Sequence, residues 1–211
     1  MIVLKIFIWI VVVLIVYRIL VGIIRKMIHF PAPAFISVFL DSKVRGWLQP
    51  PENIIKSSGI NQGKYVLEIG SGSGFFTIPA AKAVGENGHI AALDIQQEML
   101  DKINLKLKKD KNSYISNINI VNASAYEVPY PAESFDVVFA VSVLQEIPNP
   151  HEALLEAHRV LKKGGIVSVS EFIPDPDWPL PSTVEKQLRS AGFKNIRRHV
   201  NILRYTITGE K

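Results

Sequence analysis

The sequence predicts an α/β fold: a doubly wound, mainly parallel sheet that finishes in an antiparallel hairpin and is preceded by a transmembrane helix. Short apolar runs alternate with helical patterns between residues 65 and 191, the order expected of strands joined by helical crossovers. A glycine-rich turn follows the first run. The last two runs, 196–200 and 204–208, are too close in sequence for a parallel crossover and should pair antiparallel.

The chain opens on an apolar stretch, Ile2 to Ile24, interrupted only by Lys5, Tyr17, Arg18 and Gly22. A helix of that length rises roughly 34 Å, enough to cross a hydrocarbon core of about 30 Å. Basic residues follow it, which predicts that the rest of the chain is cytoplasmic. The alternative is a cleaved signal peptide, since residues 32–34 read Ala-Pro-Ala, but the apolar stretch is long for a signal core. We therefore expect residues 1–26 to form a retained, single-pass membrane anchor.

Residues 27–62 are predicted to link this anchor to a domain of residues 63–211. From Phe30 to Leu48 the apolar residues, Trp47 among them, fall on one helical face. Such a helix either packs on the domain or lies in the membrane interface and gives a membrane-dissolved substrate access to the domain. The adjoining anchor favours the interfacial interpretation. A second short helix is predicted from Glu52 to Ser58, because Gly59 is suited to a helix C-terminus.

The first predicted strand leads into the turn that is most informative about function. Residues 65–77 read Tyr-Val-Leu-Glu-Ile-Gly-Ser-Gly-Ser-Gly-Phe-Phe-Thr. Glycine tolerates positive φ and lets backbone N–H groups approach a ligand closely. The spacing is Gly-x-Gly-x-Gly, and Phe75 stands where the dinucleotide fingerprint has its last glycine. An acidic residue, Glu68, lies inside the strand two positions before Gly70.

The remaining elements are predicted to alternate along the chain. In such sheets, ligands bind at the carboxyl ends of the strands, near the switch in strand order. Asp94 ends the second strand, where a carboxylate can accept hydrogen bonds from both ribose hydroxyls or cap the following helix. We expect helices at 75–84, 97–109, 152–161 and 183–191, and strands at 89–94, 118–122, 135–140, 165–171, 196–200 and 204–208.

These motifs, taken in order, resemble those of the class I S-adenosylmethionine (SAM)-dependent methyltransferases over residues 65 to about 208. Segments 94–100 and 160–165 look like those of ubiquinone/menaquinone-biosynthesis and phospholipid methyltransferases. The resemblance implies the seven-stranded, Rossmann-like methyltransferase fold, with SAM as cofactor. Ser124 stands where many relatives carry an Asp on the adenine amino group, and a hydroxyl accepts that bond less strongly. The cofactor-binding residues that it implies are Glu68, Gly70, Ser71, Gly72, Gly74, Asp94, Ile95, Ser124, Ala125 and Val141.

The loop after the fourth strand should face the transferred methyl group. Related enzymes often carry His there, whereas this chain has Gln145 and Glu146, and Glu171 ends the neighbouring strand. We expect these three to be the catalytic residues, the carboxylates attracting an amine headgroup or acting as bases. Aromatic faces for a cationic acceptor, or ordinary packing, are expected of Tyr126, Tyr130, Phe172 and Trp178.

The anchor, the apolar segment and the glycine motif together predict a membrane-anchored methyltransferase with a lipophilic acceptor. A phospholipid amine headgroup and an isoprenoid quinone precursor are the leading acceptor classes, and a small lipophilic thiol is a third. Outside the enzymes, the alternative is a non-catalytic, membrane-tethered nucleotide-binding module. A nicotinamide oxidoreductase is disfavoured by Phe75.

Composition narrows the remaining possibilities. The chain has no cysteine, which excludes a disulfide framework, a thiolate metal site and a cysteine nucleophile. Its five histidines lack ligand spacing, so we expect no metal. The net charge of +5 fits nucleic acid, an anionic membrane or mere solubility. No base-flipping motif of the Asn-Pro-Pro-Tyr type is present, so the expected partners are the lipid bilayer and a lipophilic substrate, not nucleic acid.

Overall fold

A computed structural model describes residues 5, 9, 12, 13, 16, 17, 43–173 and 178–211 of the chain. The six described residues before residue 43 are helical and exposed. Most of the predicted anchor, Ile2 to Ile24, and of the predicted interfacial helix lies outside the described residues. Among the residues that are described, none belongs to a helix long and apolar enough to cross a membrane. The membrane anchor therefore stays a prediction.

Between residues 43 and 211 the described elements alternate much as the sequence predicts. Two short 3-10 helices, Asp110–Asn112 and Leu144–Glu146, accompany them. The helices are α1 (Lys43–Leu48), α2 (Pro51–Ser57), α3 (Thr77–Val84), α4 (Gln97–Leu107), α5 (Pro150–Val160) and α6 (Pro181–Ser190). The strands are β1 (Tyr65–Ile69), β2 (His89–Asp94), β3 (Ile118–Asn122), β4 (Phe135–Val141), β5 (Leu161–Phe172), β6 (Lys194–Val200) and β7 (Arg204–Glu210).

The strands form one seven-stranded sheet in the described part of the chain, in the order β3-β2-β1-β4-β5-β7-β6. The pairs among β3, β2, β1, β4 and β5 are parallel, whereas β7 pairs antiparallel with both β5 and β6. The prediction of a mainly parallel sheet finished by an antiparallel hairpin is confirmed. In this sheet the hairpin's second strand inserts beside β5 and leaves β6 at the edge.

The switch in strand order lies between β1 and β4. The chain moves outward from β1 to β2 and β3 and then returns to place β4 on the other side of β1. In register, Ile69 of β1 lies beside Leu93 of β2 and Ala140 of β4. Because these three strands end together, the loops that follow them meet at one edge of the sheet, which we call the carboxyl edge.

Alternation along the strands divides the core between the two faces of the sheet. Val66 packs on the face covered by α2 and α3, whereas its neighbour Leu67 packs on the face covered by α5 and α6. Both side chains are fully buried. A continuous apolar run therefore fits a central strand that is covered on both faces.

Helix α2 is joined to the sheet by hydroxyl groups as well as by apolar packing. The Ser58 Oγ lies 2.7 Å from the Ser168 Oγ of β5. The Thr206 Oγ1 of β7 lies 2.7 Å from the Ser170 Oγ and accepts a hydrogen bond from the Ser57 Oγ at 3.3 Å. These bonds satisfy buried polar groups that would otherwise be costly.

Several boundaries differ from the prediction, each for a local reason. The predicted helix from Phe75 begins only at Thr77, because residues 72–76 complete the turn after β1. Helix α4 ends at Leu107, two residues earlier than expected, and a 3-10 turn follows. Strand β5 begins at Leu161 because this residue pairs with Phe135 of β4.

Candidate functional site

The loop after β1 needs glycine at two positions for different reasons. Gly70 has a φ of 70°, and a Cβ built there would lie 2.5 Å from the Val143 Cγ2. Its N–H and that of Ser71 donate to the carbonyl oxygen of Leu93 at 2.8 and 3.0 Å. Gly72 has a φ of 53°, but a Cβ there would meet no atom of the described part of the chain within 4 Å. Gly70 thus allows close packing, whereas Gly72 faces open space in which a ligand can approach the backbone.

Asp94 joins the end of β2 to the glycine loop. Its Oδ2 accepts the N–H of Gly72 at 2.8 Å, and its Oδ1 accepts the N–H of Gln96 at 2.9 Å. Burial raises the pKa of Asp94, whereas the hydrogen bonds from these backbone N–H groups act to lower it. The carboxylate therefore stabilises the turn after β2, but it is not the N-cap of α4, which is Gln96 and has no side-chain cap hydrogen bond. Each oxygen keeps a further lone pair with which to accept a ligand hydroxyl.

Glu68 lies beneath the loop and is only 2% exposed. Its Oε2 accepts a hydrogen bond from the Thr77 Oγ1 at 2.5 Å, which ties β1 to the start of α3. Burial raises the pKa of Glu68 to about 8; the bond from Thr77 lowers it, the charge of Asp94 raises it and the charge of Arg45 lowers it. Glu68 therefore makes a contact that orients the glycine loop.

Arg45 of α1 reaches this loop from outside the sheet, which the sequence did not indicate. Its guanidinium carbon lies 4.9 Å from the ring centre of Phe75 and 5.2 Å from that of Phe76. Its Nε donates to the Gln49 Oε1 at 3.0 Å. A cation therefore lies near Glu68 and the glycine loop, on a helix for which the sequence favoured a place in the membrane interface.

The loops after β2 and β3 form the next part of the carboxyl edge. The Nδ2 of Asn122 donates to the carbonyl oxygens of Asp94 and Ile95, each at 3.1 Å. Ile95 is 63% exposed, so its side chain is accessible to a planar ligand. The Oγ of Ser124 accepts the N–H of Tyr126 at 3.2 Å, so one of its lone pairs is no longer available to the adenine amino group. Ala125 follows Ser124 in this loop.

Two buried hydroxyl groups at this edge have no hydrogen-bond partner among the described residues. They are the Oγ of Ser71 in the glycine loop and the Oγ of Ser142 directly after β4. Ser142 has a φ of 55°, and its N–H donates to the carbonyl oxygen of Ser170 at 2.8 Å. The preceding residue, Val141, is buried. Ser142 is a site candidate that the sequence analysis missed; its only signal is its position directly after the fourth strand.

The three predicted catalytic residues lie in adjoining elements at the ends of β4 and β5. With its amide nitrogen turned toward Glu171, Gln145 donates to both carboxylate oxygens of that residue, at 2.7 and 2.9 Å. Glu171 is 1% exposed. Burial and then the charge of Glu171 raise the pKa of Tyr205, which lies opposite Glu171 on β7. Glu146 ends the same 3-10 helix as Gln145 and is half-buried.

The predicted aromatic residues divide into two groups. The hydroxyl of Tyr126 accepts the N–H of Asn149, beyond the 3-10 helix. Trp178 packs edge-on against Tyr205, with ring centres 6.0 Å apart. Phe172 ends β5, directly after Glu171. Tyr130 agrees with the packing alternative: its ring packs on Phe135 at the other end of β4, with 4.9 Å between ring centres, away from the predicted catalytic residues.

The arrangement fits SAM. The open backbone at Gly72 and the unpartnered hydroxyl of Ser71 suit the amino-acid end of the cofactor. Asp94 suits the ribose, and the exposed Ile95 beside it suits a planar base. A pyrophosphate would favour a loop whose N–H groups are free of a carboxylate, whereas the N–H of Gly72 already donates to Asp94.

Residues 67–169 match the family model described as a methyltransferase domain. Within that segment, the sheet order and the glycine loop agree with the match to a methyltransferase domain.

More particular similarity is found among quinone-biosynthesis enzymes. Ubiquinone/menaquinone biosynthesis C-methyltransferase UbiE of Vibrio campbellii is 36% identical over 118 residues, which cover 56% of this chain and 45% of that protein. Demethylmenaquinone methyltransferase of Staphylococcus aureus is 33% identical over 143 residues, 68% of this chain and 55% of that protein. The chain thus spans about half the length of the curated relatives it matches.

Solved structures show the same fold. A SAM-dependent methyltransferase from Aquifex aeolicus has a TM-score of 0.75 at 24% identity, covering 85% of this chain and 98% of its own. Phosphoethanolamine N-methyltransferase 2 of Haemonchus contortus, solved with SAM, has a TM-score of 0.66 at 15% identity, covering 79% and 55%.

Proposed function

We propose that this protein transfers a methyl group from SAM to a lipophilic acceptor, with an isoprenoid quinone precursor as the leading class. The observation that carries the proposal is the buried Glu171 carboxylate, held by Gln145 beside the loops that fit SAM. The quinone-methyltransferase names of the relatives support the choice of acceptor. A phospholipid amine is the second candidate, because Trp178 packs on Tyr205 near the same carboxylate and an aromatic face suits a cationic headgroup.

The cofactor roles follow from the geometry of the loops. The backbone at Gly72 and the hydroxyls of Ser71 and Ser142 approach the amino-acid end of SAM, while Glu68 holds the loop in shape through Thr77. Asp94 accepts the two ribose hydroxyls. Ile95 packs on the base, and Ser124 and Ala125 line its other side.

When bound, SAM supplies a methyl group on a positively charged sulfur, so the protein must mainly align the acceptor and exclude water. For a hydroxylated ring, the Glu171 carboxylate takes the hydroxyl proton, which makes the adjacent ring carbon nucleophilic. After methyl transfer to that carbon, Glu171 would return its proton to the ring oxygen, and the proton on the methylated carbon would leave to solvent. The hydroxyl and the carboxylate would then both be restored. Gln145 positions Glu171 throughout, and Glu146 is the second carboxylate nearby. We call the region around Gln145, Glu146 and Glu171 the proposed acceptor opening.

The N-terminal segment is proposed as a membrane anchor that keeps the domain on the cytoplasmic side of the bilayer. Its apolar length and the basic residues after it support this part of the proposal. An anchor of this kind would hold the acceptor opening near the membrane in which a lipophilic substrate is dissolved.

The test is methyl transfer from radiolabelled SAM by the full-length protein in mixed micelles. One preparation contains a reduced, demethylated isoprenoid naphthoquinone and the other contains phosphatidylethanolamine. We expect labelled quinone. Labelled phospholipid would support the second candidate instead, and labelling of neither, despite saturable SAM binding, would favour a non-catalytic nucleotide-binding module.

A pair of variants tests the role of Glu171. Glu171→Gln keeps the volume and removes the base, so kcat should fall by about 10²–10⁴-fold while SAM affinity is retained. Glu127→Gln makes the same change at an exposed carboxylate beyond Ser124 and should leave kcat unchanged. Equal activity of both variants would contradict the assignment of Glu171 as base.

A further inference from the structure

The turn between β6 and β7 exposes aliphatic side chains at the carboxyl edge of the sheet. Ile202 is 88% exposed and Val200 is 64% exposed. The turn is ordered by its own bonds, since the N–H of Asn201 donates to the carbonyl oxygen of Arg204 at 2.8 Å. We call residues 200–204 the hairpin tip. Two large aliphatic groups held outward on an ordered turn contribute nothing to the core of this domain.

Basic residues lie along the hairpin and the helix before it. Between Glu185 and Glu210 the sequence has six Lys or Arg residues and no Asp or Glu. Arg198 is held by Glu185 at 2.7 Å and Arg197 lies 3.5 Å from Glu210, so two of these cations have partners on the domain. Charged side chains on an edge strand also discourage pairing with another strand. That role explains the cations of β6 but not the aliphatic side chains of its tip.

The hairpin tip is continuous with the proposed acceptor opening. The N–H of Ile173, two residues after Glu171, donates to the carbonyl oxygen of Leu203 at 2.9 Å. Leu180, 60% exposed, precedes α6 at the same edge, where the hydroxyl of Tyr205 donates to the carbonyl oxygen of Pro179. Helix α1, which leads back toward the N-terminal segment, packs on the glycine loop, also at this edge.

We propose that the hairpin tip is a docking surface for an anionic lipid bilayer, where it holds the acceptor opening against the membrane. Aliphatic side chains that can enter the interface, flanked by cations, match a surface of anionic headgroups over hydrocarbon. A surface that binds single-stranded nucleic acid usually carries aromatic side chains on which the bases stack, and the hairpin tip has no aromatic residue. This inference deepens the proposed function and rests on its placement of the acceptor opening.

The experiment uses the absence of natural cysteine, which allows a single fluorophore to be attached. Ile202→Cys and Asn87→Cys, each in the full-length protein, are labelled with the same environment-sensitive dye. Asn87 is exposed in the turn between α3 and β2, at the opposite edge of the sheet. Vesicles contain phosphatidylcholine alone or with phosphatidylglycerol, and carry a lipid-bound quencher.

We expect blue-shifted, quenched emission from the dye at position 202 on anionic vesicles, and little change on neutral ones. The dye at position 87 should remain in water on both. Adding Arg204→Gln should weaken the lipid contact of position 202 by about fivefold, from the usual contribution of one cation. Lys108→Gln removes the same charge just after α4, at the other edge, and should not weaken it.

Three results would overturn the inference. The dye at position 202 could stay in water on anionic vesicles, or the dye at position 87 could be quenched equally. The third is a blue shift in the absence of lipid. It would contradict the inference whether light scattering shows that a dimer causes it or added single-stranded nucleic acid is needed for it. Methyl transfer in detergent micelles is measured on the same proteins. Loss of transfer with lipid contact intact would count against the proposed function alone.

Discussion

Asp94 and Asp136 both accept a backbone N–H through a carboxylate oxygen, but they lie at opposite edges of the sheet. Asp94 is bonded to Gly72 and Gln96 in the proposed cofactor site. We expect Asp94→Asn to weaken SAM binding by about 10–100-fold, because an amide replaces one charged acceptor of the ribose with a donor. Isothermal calorimetry with SAM measures the change.

Asp136 provides the matched control for that variant. Its Oδ2 accepts the N–H of Tyr65 at 2.9 Å, and its Oδ1 accepts a bond from the Lys162 Nζ at 3.0 Å. Although partial burial acts to raise its pKa, these partners hold the pKa of Asp136 below its usual value. Asp136→Asn should therefore lower stability slightly and leave SAM affinity unchanged. Equal losses of SAM affinity in both variants would mean that the Asp94 effect is a general loss of folding.

Glu68 links pH to stability. Burial raises its pKa from 4.5 to about 8, so the folded protein keeps a proton that the unfolded chain releases within this window. The free energy of unfolding should therefore fall as pH rises from about 4.5 to 8. In Glu68→Gln this loss is absent. The variant should match the wild type near pH 4.5 and exceed it by about a few kcal/mol at pH 8.

Urea unfolding of both proteins in mild detergent, at several pH values, measures this difference. Every other titrating group is shared, so the comparison isolates Glu68. If the two curves stayed parallel between pH 5 and 8, the carboxylate would be ionised in the folded protein, and its burial would have to be offset by a contact other than the bond from Thr77.

At the scale of elements, the strands were the easiest to predict. The bounds of β2 and β3 agree with the prediction at both ends, because each apolar run is bounded by residues that favour turns. Strand β5 begins at Leu161, four residues before the predicted Gly165, and so includes a Lys-Lys-Gly-Gly segment that has no strand pattern of its own. There the pairing with β4 decides the conformation, and this pairing cannot be predicted from the sequence of one strand.

The sequence could predict those candidate site residues that lie near the end of a strand. Gly70, Asp94 and Glu171 follow from the rule that parallel strands present their carboxyl ends at one edge. Arg45 could not be found, because its contact with Phe75 joins two segments thirty residues apart through tertiary packing. Ser142 was missed because a left-handed φ at a serine has no sequence signal.

The molecule as a whole concentrates its proposed functions at the carboxyl edge of the sheet. The glycine loop, the Gln145–Glu171 pair and the hairpin tip all lie there, and α1 packs on the glycine loop at the same edge. The N-terminal segment therefore joins the domain on the side proposed to face the bilayer. An anchor on that side would shorten the distance between a membrane-dissolved acceptor and the transferred methyl group. An anchor on the opposite side would turn the acceptor opening away from the bilayer.

Deleting residues 1–26 separates tethering from chemistry. SAM affinity, measured by calorimetry, should be unchanged, since the described contacts of the cofactor loops begin with Arg45. Transfer to an acceptor embedded in vesicles should fall by about 10²-fold, because the tether's effective concentration is lost. Transfer to the same acceptor in detergent micelles, where both forms meet it by diffusion, is the control and should stay equal. Equal transfer on vesicles would refute the anchor and leave the hairpin tip as the surface that brings the domain to its substrate.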